Sequence, residues 1–507
     1  MFTFSNFTHD NTKSTVKYIE PLSNDFAVTV NGREVPVYTC RISKYPLNSV
    51  WQGKQRPTEQ TVLASFVNLV SDEPLHVDVY VKTPYNRAIL KPYSKEIPLV
   101  ERDGHVLFTL SENGSFVFEA DSHLHCLYIF NGKPVPCDDL ASVTHYFGPG
   151  IHAPGKITLR SNESVYLDKD ALVFGCVYAE HAENIRIYGN GVLDDRWEER
   201  SGADCSDCYG PLTNGNLKFY DCTGLRIEGV LCRDSAIWCL NLFHCFDVLV
   251  DGVRIFGQWR YNTDGIDIVN CQNIRVRNSF IHSFDDTVTI KAVDRYADTN
   301  NVNIVTEKCV LWCDWGQACL IGPESYCREY RHIIFRDCDI LRAAHSAMCV
   351  DLAEDAEMSD LLFENIRVEY NASDTKPQYQ STEEAVYSYG DRIATPTLFA
   401  AINMRWKTPQ GENTWGVSDL PATPIDFTGI ERSTVHDVVC RDISVFYDSE
   451  VPLTPEGKYN VRIRVESSVE DVRFRNITVS NVFVNGERGT YQNLPISVVN
   501  VDRFVLE

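Results

Sequence analysis

Segments of alternating, β-branched residues recur through the middle of the chain at a nearly constant spacing. One begins Cys222-Thr-Gly-Leu-Arg-Ile-Glu-Gly-Val, and similar segments begin at Cys245 and Cys271, in steps of 23 (245 − 222) and 26 (271 − 245) residues. Looser copies lie between residues 302 and 479. An amphipathic α-helix repeats its apolar positions every 3.6 residues, so it does not explain this alternation. Coils of this length that stack and bury a continuous apolar core predict a right-handed parallel β-helix.

The N-terminal part of the chain follows a different pattern. It contains short alternating runs such as Val77–Val81 and Val106–Leu110, separated by turns of the Asn-Gly and Asp-Gly type. Such turns between alternating runs are typical of β-hairpins. We therefore predict an antiparallel β-sandwich domain over residues 1–143 and a β-helix domain over residues 144–507. The sandwich could bind carbohydrate, or it could only pack against the β-helix and shape its cleft.

Residues 371–435 interrupt the repeat. They are rich in Pro, Thr and Tyr and include Trp406 and Trp415. We interpret them as a long loop insertion over one face of the β-helix, because long loops of this kind often carry function.

The charge balance of the chain restricts its partners. The 507 residues carry a formal net charge of −23. Nucleic acid binding requires clustered Lys and Arg, so we expect no nucleic acid partner. There is no run of apolar residues long enough for a membrane-spanning helix, so we expect no membrane partner. Assembly into a homo-oligomer stays open.

The chain has 18 cysteines. Most of them lie on strand-like runs, where they are expected to be small buried residues. The N-terminal sequence lacks the features of a signal peptide, so we expect a cytoplasmic protein, or a secreted one if a signal was removed. Cys205 and Cys208 form a Cys-x-x-Cys pair, which is either half of a zinc site or a pair in a loop. Because no second half is visible, we expect no metal and no cofactor.

Two acidic clusters lie at the two ends of one repeat, Asn262-Thr263-Asp264-Gly265 and Phe284-Asp285-Asp286. Asp264 and Asp286 are 22 residues apart (286 − 264), about one coil. Equivalent positions on adjacent coils lie roughly 4.8 Å apart, so we expect the clusters to be neighbours in space. Neighbouring carboxylates shift each other's pKa, and one can stay protonated at neutral pH. This arrangement suits general acid and base catalysis on a glycosidic bond.

Two other interpretations of the clusters remain open. Asn, Asp and Gly are common in turns between strands, so both clusters could be turns alone. Carboxylates also gather as oxygen ligands of calcium, as in a lyase-type β-helix.

The motifs together resemble glycoside hydrolase family 28, which contains the polygalacturonases. The resemblance rests on Asn-Thr-Asp-Gly at 262–265, Asp-Asp at 285–286, and the segment 189–194, which is similar to the family's first coil. The segment 146–150 and the preceding sandwich are similar to family 49, the dextranases and isopullulanases. The resemblance covers residues 146–370 by motif and the N-terminal domain by architecture.

This resemblance implies a carbohydrate substrate and a role for each of the three acids. Asp285 would be the general acid that protonates the departing glycosidic oxygen. Asp264 and Asp286 would activate a water molecule from the opposite face of the sugar, which gives inversion of the anomeric carbon.

The chain departs from the family pattern at two places. The family's Gly-His-Gly is replaced by a segment that begins Gly316-Gln317, so Gln317 stands where the family has a histidine. The family's Arg-Ile-Lys, which helps to hold the galacturonate carboxylate, would fall on residues 343–351, where only Arg342 just upstream is basic. We therefore favour a neutral sugar over a uronate, and the long loops favour exo action.

Further residues beside the acids are candidates for substrate binding. These are Asn262, Gln317, His345, Lys291, Trp315, Trp259 and Glu324. His345 either contacts the substrate or is an ordinary residue at the edge of a coil. Lys291 either reaches a sugar hydroxyl or pairs with a carboxylate. Trp259, Tyr261, Trp312, Trp315 and Tyr326 either stack on sugar rings or pack at the corners of coils.

Two other functions are compatible with these residues. One is a β-helix lyase or a glycosyl-transferring or epimerising enzyme. The other is a β-helix that binds sugar without catalysis.

Overall fold

The computed structural model describes residues 2–7, 16–44, 58–137, 139–198, 214–372, 378–380, 387–389, 397–403, 425–467 and 472–507. In these residues the secondary structure consists of strands and four 3₁₀ helices, Thr58–Gln60, Tyr93–Lys95, Leu140–Ser142 and Asp294–Tyr296. Within the same residues, no helix has the length and apolar character that crossing a membrane requires. Cys205, Cys208, Trp406 and Trp415 lie outside the described residues.

The N-terminal part of the chain forms two packed sheets. The inner sheet consists of Thr3–Phe4, Tyr38–Ser43, Thr61–Val70, Ala88–Lys91, Gly114–Ala120 and Ser122–Gly132. The outer sheet consists of Phe26–Val30, Arg33–Val35, Leu75–Val81, Val100–Arg102 and His105–Leu110. All neighbours are antiparallel except Thr61–Val70 and Ser122–Gly132, which pair in parallel. Alternate residues of Leu75–Val81 are buried between the sheets, as the sequence pattern predicts. The predicted sandwich is confirmed, with this one parallel pair as the exception.

The rest of the described chain forms one continuous sheet of 31 strands that winds into a β-helix. We name its three faces A, B and C in the order in which each coil visits them.

Face A consists of His145–Phe147, Ser164–Leu167, Arg186–Gly189, Arg226–Glu228, Phe246–Asp251, Gln272–Arg277, Asn301–Glu307, Glu329–Arg336, Glu357–Glu364 and Val501–Leu506. Face B consists of Val192–Asp194, Leu231–Arg233, Arg254–Phe256, Phe280–Ser283, Val310–Cys313, Asp339–Arg342 and Arg367–Tyr370. Face C consists of Leu217–Tyr220, Leu240–Phe243, Ile266–Val269, Val288–Ala292, Gln317–Ser325, Ser346–Asp351, Thr397–Ile402, Arg462–Glu466 and Ile496–Val499.

Four longer strands bend from one face to the next. Gly150–Leu159 and Ala171–Glu180 run from face B to face C, and Thr434–Tyr447 and Arg473–Val484 run from face A to face B. Glu487–Arg488 adds an antiparallel pair to the last of these. Strands of successive coils pair in parallel, and such crossovers are right-handed in almost every known case. The predicted right-handed parallel β-helix is confirmed.

The spacing of the coils follows from the stacking of identical positions. Ile266 pairs with Val288 and Ile268 with Ile290, and these side chains fill the interior of the β-helix. The repeated cysteines are also stacked there, and the amide of Cys245 donates to Sγ of Cys271. The sixteen cysteines within the described ranges are all free thiols.

The sandwich packs against face B. The aromatic rings of Phe256 and Phe280 contact Phe130 of the sandwich, with ring centroids 4.9 and 5.4 Å apart. A buried ion pair between Arg342 Nη1 and Glu119 Oε1, 2.8 Å apart, crosses the same interface. Face C therefore lies away from this interface.

The interval 371–435 contains more than a loop. Thr397–Ile402 is a strand of face C that pairs with Ser346–Asp351 on one side and Arg462–Glu466 on the other. Gln378–Gln380 and Tyr387–Tyr389 form a separate antiparallel pair. The strand Thr434–Tyr447 begins at the end of the interval. Most other residues of the interval lie outside the described ranges, so the loop interpretation of those residues stays a prediction.

Candidate active site

The acidic clusters lie in the turns that lead from face B into face C on adjacent coils. Ile266 pairs with Val288, and Val288 pairs with Cys319. The residues two positions before each of these, Asp264, Asp286 and Gln317, therefore occupy equivalent positions on successive coils. The backbone supports this alignment, since the amide of Gly265 donates to the carbonyl of Asp286 over 2.8 Å. The amide of Thr287 donates in the same way to the carbonyl of Gln317 over 2.9 Å. The 22-residue spacing therefore does bring Asp264 and Asp286 together.

Asp285 and Asp286 both face Gly316 on the next coil. The amide of Gln317 donates to Oδ1 of Asp286 over 2.8 Å, and the amide of Asp286 donates to Oδ1 of Asp285 over 3.1 Å. A Cβ atom on residue 316 would lie 2.4 Å from Oδ1 of Asp286 and 2.7 Å from Oδ1 of Asp285. Only glycine leaves room for the two carboxylates in these positions.

Asp264 shares a lysine with a second aspartate of its own strand. Nζ of Lys291 donates to Oδ2 of Asp264 and to Oδ1 of Asp267, both over 2.9 Å. All three side chains are buried, and the ammonium lies 3.8 Å from the ring centroid of Trp238. Of the two interpretations of Lys291, the structure shows the carboxylate pairing. The ammonium already occupies the space where a calcium ion between these two carboxylates would lie.

The acids differ in how strongly they hold a proton. The surrounding protein desolvates Asp285, and the charges of Asp264 and Asp286 add to this effect, so its pKa is raised well above the usual range. Burial and the charge of Asp264 raise the pKa of Asp286 to about 7, although Lys291 opposes the shift. Burial also raises the pKa of Asp264, and the bound Lys291 again opposes this. The surroundings therefore raise the pKa of the three carboxyl groups to different extents.

Aromatic rings and His345 lie beside these acids on the following coils. Trp315 is partly exposed and stacks on Phe284 with ring centroids 5.9 Å apart. His345 is exposed, and its ring meets the edge of Trp315 at 6.3 Å. The amide of His345 donates to the carbonyl of Gly316 over 3.0 Å. Trp315 and His345 thus lie beside the acids on the next two coils, and both are accessible to solvent.

Glu324 and Asn262 are close to the acids as well. The partly buried Glu324 raises the pKa of both Asp264 and Asp286 through its charge, which places its carboxylate near them. Asn262 is buried and adopts a left-handed backbone conformation with φ of 59° at the start of the motif. Such a conformation is tolerated by asparagine better than by most residues.

Trp259 and Trp312, two of the candidate stacking residues, are buried. Trp259 is only 8% exposed, and its Nε1 donates to Oδ1 of Asp234 over 2.8 Å. Trp312 is fully buried on face B, where it stacks on His282 and contacts the sandwich residue Tyr128. Trp312 is therefore a packing residue, and its ring is not accessible to a sugar.

Arg342 does not reach the cleft. It is buried in the sandwich interface, where its guanidinium pairs with Glu119 and lies 4.6 Å from the ring centroid of Trp312. The single basic residue near the position of the family's Arg-Ile-Lys therefore cannot hold a substrate carboxylate.

The sequence analysis missed Asp267, Trp238 and the role of Gly316. Asp267 could have been found from strand parity, because its neighbours Ile266 and Ile268 point into the core and Asp267 must point outward. Trp238 occupies the position equivalent to Asp264 one coil earlier, because Leu240 pairs with Ile266. The steric reason for Gly316 has no signal in the sequence.

Comparisons with known proteins bear on this site directly. The model of the glycosyl hydrolases family 28 matches residues 134–312, a segment that contains both acidic motifs. The resemblance to family 28 is confirmed over this segment.

An exopolygalacturonase of Zea mays is 23% identical over 251 residues, which are 46% of this chain and 57% of the maize protein. Exopolygalacturonase X-1 of Emericella nidulans is 28% identical over 152 residues, 28% of this chain and 31% of that protein. The chain thus spans little more than half of the length of the maize relative and less than a third of that of the Emericella nidulans relative.

A solved structure extends the likeness to the whole chain. Dex49A from Penicillium minioluteum superposes with a TM-score of 0.54 at 12% sequence identity, covering 99% of this chain and 98% of that chain. At this identity the likeness concerns the fold alone. It confirms the similarity to family 49 in architecture, sandwich and β-helix together.

Proposed function

We propose that this protein is an inverting glycoside hydrolase whose active site is the group formed by Asp264, Asp285 and Asp286. The observation that carries the proposal is that three carboxyl groups meet on two adjacent coils in three different electrostatic environments. A glycosidase needs one carboxyl group protonated and another ionised at the same pH. The match to family 28 over the same residues supports this reaction class.

In this proposal Asp285 is the general acid. Burial and the charges of Asp264 and Asp286 raise its pKa well above the usual range, and no lysine in the described part of the chain binds its carboxylate, so of the three acids it is the one whose surroundings most favour the protonated form. It gives this proton to the glycosidic oxygen as the bond to the anomeric carbon breaks. Asp285 is then left ionised beside Asp286, and it regains a proton from solvent before the next turnover.

Asp264 and Asp286 act on the water. Oδ2 of Asp264 binds Lys291, while its buried Oδ1 has no hydrogen-bond donor among the described residues. Oδ1 of Asp286 accepts from the amide of Gln317. The ammonium of Lys291 favours the ionised form of both acids, so one of them accepts the proton of the attacking water. Attack from the face opposite Asp285 produces the inverted anomer.

The charges around the site favour a neutral sugar. Asp264, Asp267, Asp285, Asp286 and Glu324 gather here, and Lys291 is bound to two of these carboxylates. A uronate would bring another negative charge into this environment at an electrostatic cost. The second candidate is a galacturonide, because the maize and Emericella nidulans relatives are exopolygalacturonases.

The walls of the site support exo action. On the N-terminal side, Trp238 and Ile237 are buried in a cluster with Phe243, Val269 and Tyr296 on the outside of face C. This cluster lies one coil before Asp264, and we infer that it limits the substrate site on that side. A substrate chain would then extend only towards the C-terminal coils, which suits cleavage at a chain end.

The experiment that tests the proposal is a product analysis on polygalacturonate oligomers beside α-glucan oligomers and other neutral glycans. We expect release of a short sugar from one end of a neutral oligosaccharide. Release from galacturonides alone would replace the neutral-sugar proposal with the second candidate. An unsaturated product would show a lyase and overturn the hydrolase proposal.

A further inference from the structure

A thiol and two carboxylates converge beside the turn that leads into face C. Asp195 and Glu198 lie two coils before Asp264, and Cys176 lies three coils before it. Cys176 lies on the strand Ala171–Glu180, and Asp195 and Glu198 follow the strand Val192–Asp194. Sγ of Cys176 and one carboxylate oxygen each of Asp195 and Glu198 all lie within 4.8 Å of one another. We propose that Cys176, Asp195 and Glu198 form a binding site for a divalent transition-metal ion, best suited to zinc.

The thiol is the first observation that points to a ligand. Val177 points into the core of the β-helix, so Cys176 beside it points outward. Its side chain is nevertheless only 4% exposed, because the segment with the two acids covers it. Sγ makes no hydrogen bond with any residue in the described part of the chain. The other repeat cysteines differ from it, because Cys222, Cys245 and Cys271 point into the core and bond to backbone carbonyls or to each other.

The two acids are held in place by backbone and side-chain donors. The amide of Ala236 donates to Oδ2 of Asp195 over 3.1 Å, and the amide of Glu198 donates to the carbonyl of Asp195 over 2.9 Å. The amide and the side chain of Asn214 donate to Oε1 of Glu198 over 2.9 and 3.1 Å. The other oxygen of Glu198, Oε2, is buried with no N–H donor among the described residues, and the carboxyl groups of Asp195 and Glu198 contact each other. These bonds orient the acids before any ion binds.

The chemistry of the three ligands selects the metal. A ligand set of one thiolate and two carboxylates suits zinc better than calcium or magnesium, because those two ions prefer oxygen ligands alone. Binding displaces the thiol proton to solvent. The bound ion would offset the repulsion between the two acids, and the charges of Lys156 and Lys218 act on Cys176 from nearby. Solvent would supply the fourth ligand, since three protein ligands leave one position open.

A metal here would stabilise the N-terminal wall of the cleft. It would tie the segment of Asp195 and Glu198 to face C beside residues 236–239. In that segment the amide of Cys239 donates to the carbonyl of Asp264 over 2.9 Å. From the sequence we expect no metal, because Cys205 and Cys208 have no visible second half. Cys176 and Asp195 are not candidates there, since they are on different coils and form no local motif. This inference does not depend on the proposed reaction.

The test is metal analysis of the full chain, purified after expression with added zinc and passed through gel filtration. We expect equimolar zinc in the wild type, and binding weaker by about tenfold or more in Cys176→Ser and in Glu198→Gln. The cobalt-substituted wild type should show a thiolate-to-cobalt charge-transfer band, which Cys176→Ser should lack. His181→Ala is the matched control, because His181 belongs to a second, exposed cluster with Glu180 and Asp221.

Three results would overturn the proposal. The wild type could bind neither zinc nor cobalt, or Cys176→Ser could keep the metal and the absorption band. Zinc binding could also be lost in His181→Ala, or in a double Cys205→Ser and Cys208→Ser variant, and be unchanged in Cys176→Ser. If Cys176→Ser does not fold, the band of the wild type and the metal content of Glu198→Gln decide the question.

Discussion

The amide of Gly265 donates to the carbonyl oxygen of Asp286, 2.8 Å away on the next coil. This bond aligns Asp264, the residue before Gly265, with Asp286 in the turn that leads into face C. Two carboxylates that are 22 residues apart in sequence (286 − 264) thereby become neighbours through ordinary strand pairing.

The first prediction concerns the general acid. Replacing Asp285 with Asn should lower kcat on an oligosaccharide by roughly 10²–10⁴-fold, because no proton reaches the leaving oxygen. The loss should be much smaller on a nitrophenyl glycoside of the same sugar, whose leaving group needs no proton. Steady-state kinetics on both substrates measures the difference.

The same comparison separates the acid from the residues that act on water. Asp264→Asn should lose activity on both substrates, while the exposed Asp298→Asn should behave as the wild type. If Asp285→Asn lowers kcat equally on the two substrates, Asp285 is not the general acid.

The second prediction concerns the pH dependence of the reaction. The ammonium of Lys291 lowers the pKa of Asp264 and Asp286, so Lys291→Gln should raise both. Because the base accepts a proton only when it is ionised, the acidic limb of the kcat/KM profile should move to higher pH by roughly one pH unit or more. Lys308→Gln, on an exposed turn, is the charge-matched control. An unmoved acidic limb would contradict the assigned role of Lys291.

The third prediction concerns stability. The pKa of Asp286 is raised from 3.8 to about 7, so the native state holds this proton more tightly than the unfolded state does. Ionised Asp286 therefore lowers the free energy of unfolding as pH rises from about 4 to 7, and the full penalty is present above 7. Asp286→Asn should add roughly 1–3 kcal/mol at pH 8, after allowance for partial exposure, and little at pH 4. Urea unfolding at the two pH values measures this, and an equal effect at both would refute it.

The fourth prediction concerns Gly316. Its replacement by Ala places a Cβ atom 2.4 and 2.7 Å from the carboxylate oxygens of Asp286 and Asp285 and must displace them. A misplacement of this size should lower kcat by about 10²-fold with the fold retained. Gly114→Ala in the sandwich, where the added atom meets only the Phe116 ring at 3.3 Å, should leave kcat unchanged. Full activity of Gly316→Ala would show that the two carboxylates are not placed as described.

The repeat allowed the β-helix and the pairing of Asp264 with Asp286 to be predicted, because strand pairing depends only on periodicity and alternation. Alternation also shows that Asp267 points outward, although its contact with Lys291 depends on the register between coils. Register is harder to read further along, because the turn with the 3₁₀ helix Asp294–Tyr296 lengthens the step from Asp286 to Gln317 to 31 residues (317 − 286).

The positions of Trp312 and Trp315 could not be separated from sequence. They are three residues apart, and both are outside the core of the β-helix. Trp312 lies on face B, which the sandwich covers, and Trp315 lies in the turn that opens towards face C. Which face a separate domain covers is set by long-range packing, as with Arg342 and Glu119. No local pattern in the β-helix carries that information.

The most direct test of the central claim is a proton NMR time course of the first sugar released from the glycan that the protein cleaves. The same reaction is followed with Asp285→Asn. The account predicts that the first product has the inverted anomeric configuration, and that Asp285→Asn releases it far more slowly. A first product with the retained configuration, or undiminished release by Asp285→Asn, would contradict it.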